Sequence, residues 1–88
     1  MTPQQKKQLK AQAHKLKPVV MIGQHGLTNN VLSAIEIALN DHELIKIKIS
    51  ADRDEQQQMV EKICAALGAT HIQSIGRISI IYRENPKE

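Results

Sequence analysis

The hydrophobic positions of the first quarter of the chain change from helical spacing to one unbroken apolar run. The helical part can begin with a capping box at Thr2 and Gln5, has Pro3 in its first turn and must end before Pro18. Its apolar stripe consists of Leu9, Ala13 and Leu16. Residues 18–22 are all apolar and mostly β-branched, which predicts a short buried strand that ends at the following glycine.

The next apolar pattern is again helical and is followed by strict alternation. Thr28 is suited to cap this second helix, which fades over residues 40–42. Its apolar face consists of Val31, Leu32, Ile35, Ala38 and Leu39. Residues 43–50 are the clearest strand of the chain, because isoleucine and lysine alternate through residues 45–49. Lys46 and Lys48 are expected on the face opposite to the isoleucines.

The second half of the chain predicts a third helix and a closing hairpin. Asp52 or Asp54 can cap the helix, and Gly68 is placed to end it. Its buried stripe consists of Met59, Val60, Ile63, Cys64 and Leu67. Residues 70–75 and 78–83 then read as two strands, joined at Gly76-Arg77. A glycine that opens a two-residue loop favours a type II′ hairpin, and residues 85–88 are expected to form a frayed tail.

These elements predict a single α/β domain over residues 1–84, in the order α-β-α-β-α-β-β. We expect a compact two-layer arrangement of helices on a mixed four-stranded sheet. Right-handed crossovers would make the first three strands parallel where they share a sheet, and the hairpin adds an antiparallel pair. A chain of 88 residues can bury a modest core without a metal or disulfide framework. The order of the strands does not follow from the pattern.

Amino-acid composition indicates the cellular compartment of the protein and the kind of side chains in its core. The chain has one cysteine, which excludes an intramolecular disulfide and fits a reducing compartment. Its lysine-rich N-terminus lacks the apolar segment of a secretory signal, and no apolar run reaches the length of a membrane span. Tyr82 is the single aromatic residue, so the core must be aliphatic. We therefore expect a cytoplasmic protein, and we expect it to be a monomer.

Charge is distributed unevenly along the chain. Residues 1–35 hold five basic and no acidic residues, whereas residues 36–88 hold seven basic and nine acidic residues, giving +5 and −2. The five lysines are Lys6, Lys7, Lys10, Lys15 and Lys17. Lys6, Lys10, His14 and Lys17 follow one face of the first helix, with Lys7 beside them. This asymmetry indicates a surface for a polyanion, although a well-solvated lysine-rich helix is the simpler alternative.

The segment Gly23-Gln24-His25-Gly26 is the best candidate for a binding site. It lies between an apolar strand and a helix capped by Thr28. Glycines allow the backbone to approach a ligand closely, and the free N–H groups at a helix N-terminus favour an anion. A Gly-x-x-Gly loop binds backbone nucleotides in one class of RNA-binding module. An ordinary turn remains the alternative, and neither a P-loop nor a dinucleotide-binding motif occurs in the chain.

Catalysis and metal binding find little support in the sequence, so we predict no enzyme, no metal and no cofactor. The four histidines lie on different predicted elements, and no two have the spacing of metal ligands. They are His14, His25, His42 and His71. Cys64 falls on the apolar stripe of the third helix and reads as a structural thiol. An RNA-modifying or RNA-cleaving enzyme that uses His25 is kept as an alternative.

Among nucleic-acid binders, the scarcity of aromatic side chains is informative. Modules that stack unpaired bases need exposed rings, and Tyr82 alone cannot provide such a platform. Recognition of the backbone and shape of a folded RNA fits this sequence better. DNA binding is disfavoured because no helix-turn-helix pattern appears. Lys46, Lys48 and Arg77 extend the basic surface or are merely solvated, and the sequence does not decide between these two roles.

Four segments together resemble those of a known family. They are the strand entry Leu16-Lys17-Pro18, the turn Gly-x-x-Gly-Leu-Thr at residues 23–28, and His-Glu-Leu-Ile-Lys at residues 42–46, with the closing "IGRISIIYR" at residues 75–83. Over about Thr2 to Arg83 the chain is similar to the CRM domain, the chloroplast RNA splicing and ribosome maturation family. Its short form resembles the bacterial single-domain YhbY-type RNA-binding proteins.

The resemblance implies a fold similar to the C-terminal domain of bacterial translation initiation factor three. It also implies RNA binding, association with precursors of the large ribosomal subunit, and a role in ribosome assembly. By position it assigns RNA contact to the loop and to the basic first helix. The residues so assigned are Gly23, Gln24, His25, Gly26, Lys6, Lys7, Lys10 and Lys17. We add Thr28, which can cap the following helix, and His14, which follows the same helix face as the lysines. A protein-interaction module that docks on a ribosomal protein is the alternative.

Overall fold

The computed structural model describes residues 1–86 as three helices and one four-stranded sheet. The elements are α1 (Pro3–Ala13), β1 (Val20–Ile22), α2 (Asn29–His42), β2 (Leu44–Ile49), α3 (Arg53–Leu67), β3 (Thr70–Ile75) and β4 (Ile78–Tyr82). Their order is the predicted α-β-α-β-α-β-β. Over the described part of the chain, none of the helices combines the length and apolarity that a membrane span requires.

Helix α1 begins as predicted but ends earlier. Thr2 Oγ1 accepts a hydrogen bond from the N–H of Gln5 at 3.2 Å, and the Thr2 N–H donates to Gln5 Oε1 at 3.0 Å, which completes a capping box. The predicted extension to Pro18 is wrong, because the helix ends at Ala13. Leu16 lies beyond that end, where its carbonyl oxygen accepts a hydrogen bond from Lys46 Nζ at 3.0 Å. A long-range contact with β2 therefore holds the chain in a connector where local spacing favours a helix.

The other two helices begin and end at residues suited to those positions. Thr28 Oγ1 accepts from the N–H of Val31 at 3.2 Å and caps α2. Asp52, and not Asp54, caps α3, since Asp52 Oδ1 accepts from the N–H of Glu55 at 2.8 Å. Gly68 ends α3 in the left-handed conformation, with φ of 68°.

The strands are ordered β1-β2-β4-β3 across the sheet. β1 pairs in parallel with β2, and β4 runs antiparallel to both β2 and β3. The first three strands therefore share one direction, as predicted, although β4 lies between β2 and β3. Gly76 opens the two-residue hairpin loop with φ of 58°, while Arg77 keeps a negative φ, which is the pattern of a type II′ turn.

The two faces of the sheet are covered unequally. Helices α2 and α3 pack on one face of the sheet. This helical layer and the sheet enclose the main core. Its buried members are Val20, Ile22, Ile35, Ala38, Leu39, Ile45, Ile47, Ile49, Val60, Ile63 and Ile81. Helix α1 lies on the opposite face, where Ala13 is buried with Leu44, Ile72 and Ile80. Because this one short helix is the cover of that face, part of the sheet remains open to solvent.

Strand β1 shows the consequence of this partial cover. The prediction of a strand buried throughout residues 18–22 is wrong: the strand covers Val20–Ile22, and Met21 is 72% exposed. Val20 and Ile22 face the main core, whereas Val19 and Met21 face the side that α1 leaves uncovered. An unbroken apolar run is typical of a strand covered on both faces, but here the second face has no cover.

The end of the chain is held on α2. Arg83 Nη1 donates to Glu36 Oε2 at 2.6 Å, and Arg83 Nη2 donates to Asn40 Oδ1 at 2.7 Å. The N–H of Asn85 donates to Glu43 Oε2 at 2.7 Å, and its side-chain amide donates to the Asn40 carbonyl oxygen at 2.8 Å. The predicted frayed tail over residues 85–88 is therefore wrong for Asn85, because its amide groups find specific partners. Residues 87 and 88 lie outside the described part of the chain.

Candidate nucleic-acid interface

The Gly-x-x-Gly segment forms a tight turn after β1. The N–H of Gly26 donates to the carbonyl oxygen of Gly23 at 3.1 Å, which closes a four-residue turn. Gly26 has φ of 70°, in the left-handed region that side chains with a Cβ rarely adopt. A Cβ at this position would also lie 3.7 Å from Met59 Cε on α3. The turn therefore needs a glycine at position 26 for its own geometry.

Gly23 is not required by the same geometry. Its φ lies outside the left-handed region, and a Cβ built on it would have no heavy atom within 4 Å. The backbone at Gly23 is exposed. The fold thus accepts a side chain at position 23, and the absence of one leaves the backbone open to close approach from solvent.

Several N–H groups of this region are available to a ligand. The cap at Thr28 uses the N–H of Val31, and the next helical bond runs from Leu32 to the Thr28 carbonyl oxygen at 3.0 Å. Within residues 1–86, the N–H groups of Gln24 and His25 in the turn have no hydrogen-bond partner, and the same holds for Asn29 and Asn30 in the first turn of α2.

The N-termini of α2 and α3 lie at the same edge of the sheet but differ in charge. Since β1 and β2 run parallel, the helix that follows each strand starts at the same edge. α3 carries Asp54 and Glu55 in its first turn, which compensate the positive end of its dipole. α2 has no acidic residue in its first turn. The helix start beside the Gly-x-x-Gly turn is therefore the one that remains electrostatically open to an anion.

Helix α1 has two chemically different flanks. Gln5, Gln8 and Gln12 lie on one side of the helix and line a cleft with Thr70 and Tyr82, near the end of the sheet where β2 begins. With 3.6 residues per turn, Lys6, Lys10 and His14 lie on the opposite flank. That flank faces the end of the sheet that carries the Gly-x-x-Gly turn.

Two of the predicted basic residues lie apart from this flank. Lys7 points away from the sheet and is exposed, and it lines a shallow surface groove with Gln4 and Ala11. Lys17 was predicted on the first helix, but it lies in the connector after α1 because the helix ends at Ala13. Its side chain is exposed and is the last basic group before β1.

The structure separates the two parts of the predicted site. α1 packs on the half of the sheet that contains Leu44 and Ile80, whereas the turn follows Ile22, which pairs with Ile49 at the far end of β2. An uncovered strip of sheet lies between them. Sequence patterns did not reveal this strip, because it follows from the strand order and from the short length of α1.

The structure gives different positions to the three basic residues whose role in binding the sequence did not decide. Lys46 holds the connector through its bond to Leu16, so it has a structural role. Lys48 is exposed, and its side chain makes no hydrogen bond or ion pair within residues 1–86. Arg77 is exposed at the hairpin tip, and its carbonyl oxygen accepts from the N–H of Ile49 at 2.8 Å. This places Arg77 at the same edge of the sheet as the turn.

Most acidic residues lie away from this surface, and Asp52 is an exception because it lines a pocket with Gly76 and Arg77. In residues 1–86 they occur on α2 and α3, at the ends of these helices, and after β4. They are Glu36, Asp41, Glu43, Asp52, Asp54, Glu55, Glu61 and Glu84. The sheet therefore separates an acid-bearing side, made by α2 and α3, from a basic side made by α1, the connector and β2.

Burial shifts the pKa values of two further side chains, His71 and Cys64. Burial lowers the pKa of His71 below its ordinary value, the charge of Lys6 lowers it further, and a hydrogen bond with the Gln73 backbone opposes both. Burial raises the pKa of the Cys64 thiol, which packs against the main core. Across the described residues, no group of three histidine, cysteine or acidic side chains is arranged to hold a metal ion.

Comparisons with known proteins agree on one family. The family model of the CRS1/YhbY (CRM) domain matches residues 1–83. A protein of Pseudomonas aeruginosa named as a probable RNA-binding protein is 47% identical, over 99% of this chain and 85% of its own length. An RNA-binding protein of Haemophilus influenzae is 48% identical, over 94% of this chain and 85% of its own length.

A solved structure has the same fold. The solution structure of a hypothetical protein from Staphylococcus aureus, described as a candidate RNA-binding protein, superposes with a TM-score of 0.86. It is 31% identical in sequence, and the match covers 99% of this chain and 92% of the other.

Proposed function

The chain belongs to the CRS1/YhbY (CRM) domain family, and we propose that it is a non-enzymatic RNA-binding protein that assists assembly of the large ribosomal subunit. Relatives named as RNA-binding proteins support the class of ligand. The separation of charge across the sheet supports a polyanion on the basic side. In this proposal the protein acts in the cytoplasm as a monomer, without a cofactor, on precursor particles of the large subunit.

In the proposed complex, helix α1 and the Gly-x-x-Gly turn make different contacts with the RNA. Lysines of α1 neutralise phosphates, which supplies most of the affinity and makes it dependent on salt. The Gly-x-x-Gly turn fixes the register of the RNA through N–H groups that bond phosphate oxygens. Because Gln24 and His25 stand between the glycines, the turn contributes backbone donors more than charge.

One observation carries this proposal furthest: Gly23 lies beside a helix start that has free N–H groups and no compensating carboxylate. The fold tolerates a side chain at Gly23, so a ligand that approaches the backbone is a reason for a glycine there. The N–H groups of Asn29 and Asn30 lie at the positive end of the α2 dipole. A phosphate is the anion that this arrangement fits, and RNA supplies a series of phosphates.

The salt dependence of binding tests the contribution of α1. Lys6, Lys7 and Lys10 are replaced together by glutamine, which preserves helix propensity, and affinity for a folded fragment of large-subunit RNA is measured by fluorescence anisotropy over a salt series. If each lysine neutralises one phosphate, the slope of log affinity against log salt falls by about 2 to 3. The matched control is Lys62→Gln, because Lys62 is exposed on α3, on the other side of the sheet. This variant should leave the slope unchanged.

The same experiment separates RNA binding from docking on a ribosomal protein. An unchanged slope in the triple variant would contradict the role of α1. Association with precursor particles that survives nuclease treatment and varies little with salt would instead indicate a protein partner. Sedimentation of the wild-type protein with precursors of the large subunit, lost in the triple variant, is the expected result in cells.

A further inference from the structure

A row of four side chains crosses the sheet on the face that α1 leaves uncovered. Met21 pairs with Lys48, Lys48 pairs with Ile78, and Ile78 pairs with Ile75, so one residue of each strand contributes to the row. Met21 is 72% exposed and Ile75 is 54% exposed. We call this row the open shelf. Its composition is apolar apart from Lys48.

The open shelf lies between the two parts of the proposed RNA site. On one side stands the flank of α1 that carries Lys6 and Lys10, and on the other side the chain leaves β1 into the Gly-x-x-Gly turn. Ile49, at the turn end of β2, lies three residue steps beyond Lys46, which pairs with the α1-covered Ile80. At 3.3 Å per residue the uncovered width is about 10 Å, which suits one strand of a nucleic acid.

Charge at the open shelf points to an anionic occupant that also has apolar surfaces. Lys48 is exposed in the row, and its side-chain ammonium group has no hydrogen-bond or ion-pair partner within residues 1–86. Arg77 lies at the hairpin tip beyond Ile78, where it lines a pocket with Asp52, the cap of α3. The four residues of the row include one basic and no acidic side chain. Two copies packed through this face would place lysines against lysines, which disfavours a second copy of the chain.

We propose that the open shelf binds unpaired RNA nucleotides, whose base faces pack on Met21, Ile75 and Ile78. The inference rests on the proposed RNA-binding function and adds the kind of nucleotide that this site takes. A paired helix hides its base faces by stacking and presents phosphates and 2′-hydroxyls, which gain nothing from exposed aliphatic groups. An unpaired base offers an apolar face, and a flexible methionine can adapt to it.

This mode needs no aromatic ring. Bases removed from a stack are held against apolar as well as aromatic side chains in other nucleic-acid-binding proteins. Lys48 and the flank of α1 then contact the phosphates on either side of the packed bases. The structure thus supplies a surface for unpaired nucleotides that the scarcity of aromatic residues had argued against.

The test compares two RNAs of equal phosphate count, a single-stranded oligouridylate and a fully paired RNA duplex. The double variant Met21→Ser with Ile75→Ser removes apolar surface from exposed positions and leaves the charges in place. The control is Ile37→Ser, because Ile37 is 61% exposed on α2, on the other side of the sheet. Circular dichroism checks that all variants unfold at similar temperatures.

We expect the double variant to bind the oligouridylate about fivefold to tenfold more weakly, toward the lower end of the losses seen when an aromatic stacking partner is removed. Its affinity for the duplex and its salt slope should stay the same, and Ile37→Ser should bind both RNAs like the wild type. An unchanged affinity for the oligouridylate, or an equal loss on the duplex, would overturn the inference.

These outcomes separate the inference from the function on which it rests. If the α1 glutamine variant loses RNA affinity while the double variant binds like the wild type, RNA binding stands and the open shelf has no part in it. If the wild type binds the folded fragment of large-subunit RNA but not the oligouridylate, RNA binding stands and the inference fails; if it binds none of these RNAs, both proposals fail. If the double variant keeps its RNA affinity but no longer associates with a ribosomal protein, the open shelf is a protein interface, which also overturns the inference.

Discussion

The two glycines of the turn should respond differently to alanine, because the structure gives them different reasons to be glycine. At position 26, alanine would have to adopt φ of 70°, which costs about 1 to 2 kcal/mol for a residue other than glycine. The reduced entropy of the unfolded chain offsets about 0.4 to 1 kcal/mol of this cost. The contact of the new Cβ with Met59 Cε, at 3.7 Å, is an ordinary one and adds little.

Gly26→Ala should therefore lower the free energy of unfolding by about 1 kcal/mol, or the melting temperature by about 4 to 8 °C. At Gly23 the added Cβ meets no heavy atom within 4 Å, and φ is not left-handed. Gly23→Ala should leave stability within about 0.5 kcal/mol of the wild type or raise it slightly. Urea unfolding followed by circular dichroism measures both values.

RNA affinity completes this prediction. Gly23→Ala places a methyl group where the ligand is proposed to approach the backbone, so RNA binding should weaken while the fold stays intact. Gly26→Ala confounds the two effects, and Gly23 is the informative position. Loss of stability in Gly23→Ala as large as in Gly26→Ala would refute the structural reasoning. Wild-type RNA affinity in Gly23→Ala would refute the close approach at the turn.

The remaining predictions concern stability. Ser79→Ala should lower the free energy of unfolding by about 1 to 3 kcal/mol, because buried Gln56 Nε2 loses the Ser79 hydroxyl that accepts its hydrogen bond at 2.8 Å. Ser33→Ala, at an exposed position of α2, is the control in the same urea titration. Burial lowers the pKa of His71 in the folded protein from 6.5, so the unfolded chain binds the imidazole proton more tightly. The contribution of His71 to the free energy of unfolding is therefore fully present above about pH 6.5 and is lost as the pH falls through the lower pKa of the folded state. His71→Gln should flatten that part of the stability profile, and an unchanged profile would show that His71 is not its source.

Most elements of the fold follow from local patterns. The alternation at residues 45–49, the caps at Thr28 and Asp52, and Gly68 at the end of α3 each reflect an interaction within a few residues, so the sequence predicted them. The end of α1 did not follow, because Leu16 continues the helical spacing while its carbonyl oxygen bonds Lys46 Nζ, 30 residues away. A pattern read along the chain does not contain such a contact.

Strand order explains why the sequence did not predict the exposure of Met21 or the open shelf. An apolar run such as residues 18–22 predicts burial on both faces, but cover depends on which helix lies over each face. Because α1 is short and packs on β2 and β3, Met21 stays exposed at one edge of the sheet. The open shelf could not be predicted either, since it joins residues of four strands.

The candidate site was predictable in part. The turn, its helix start and the lysine-rich first helix were visible as motifs and charge. Their separation by a strip of sheet was not, and neither was the difference between Gly23 and Gly26, which depends on one backbone angle and on empty space. Lys17 was placed on the helix because the end of α1 was predicted too late.

Ultraviolet crosslinking of the protein to RNA in cells, followed by mass spectrometry of the linked peptides and sequencing of the linked RNA, tests the central claim most directly. The account predicts adducts on the turn at residues 23–26, on α1 and on β1, with RNA from precursors of the large ribosomal subunit. Adducts confined to the acid-bearing side formed by α2 and α3, or a protein that crosslinks to no RNA, would contradict it.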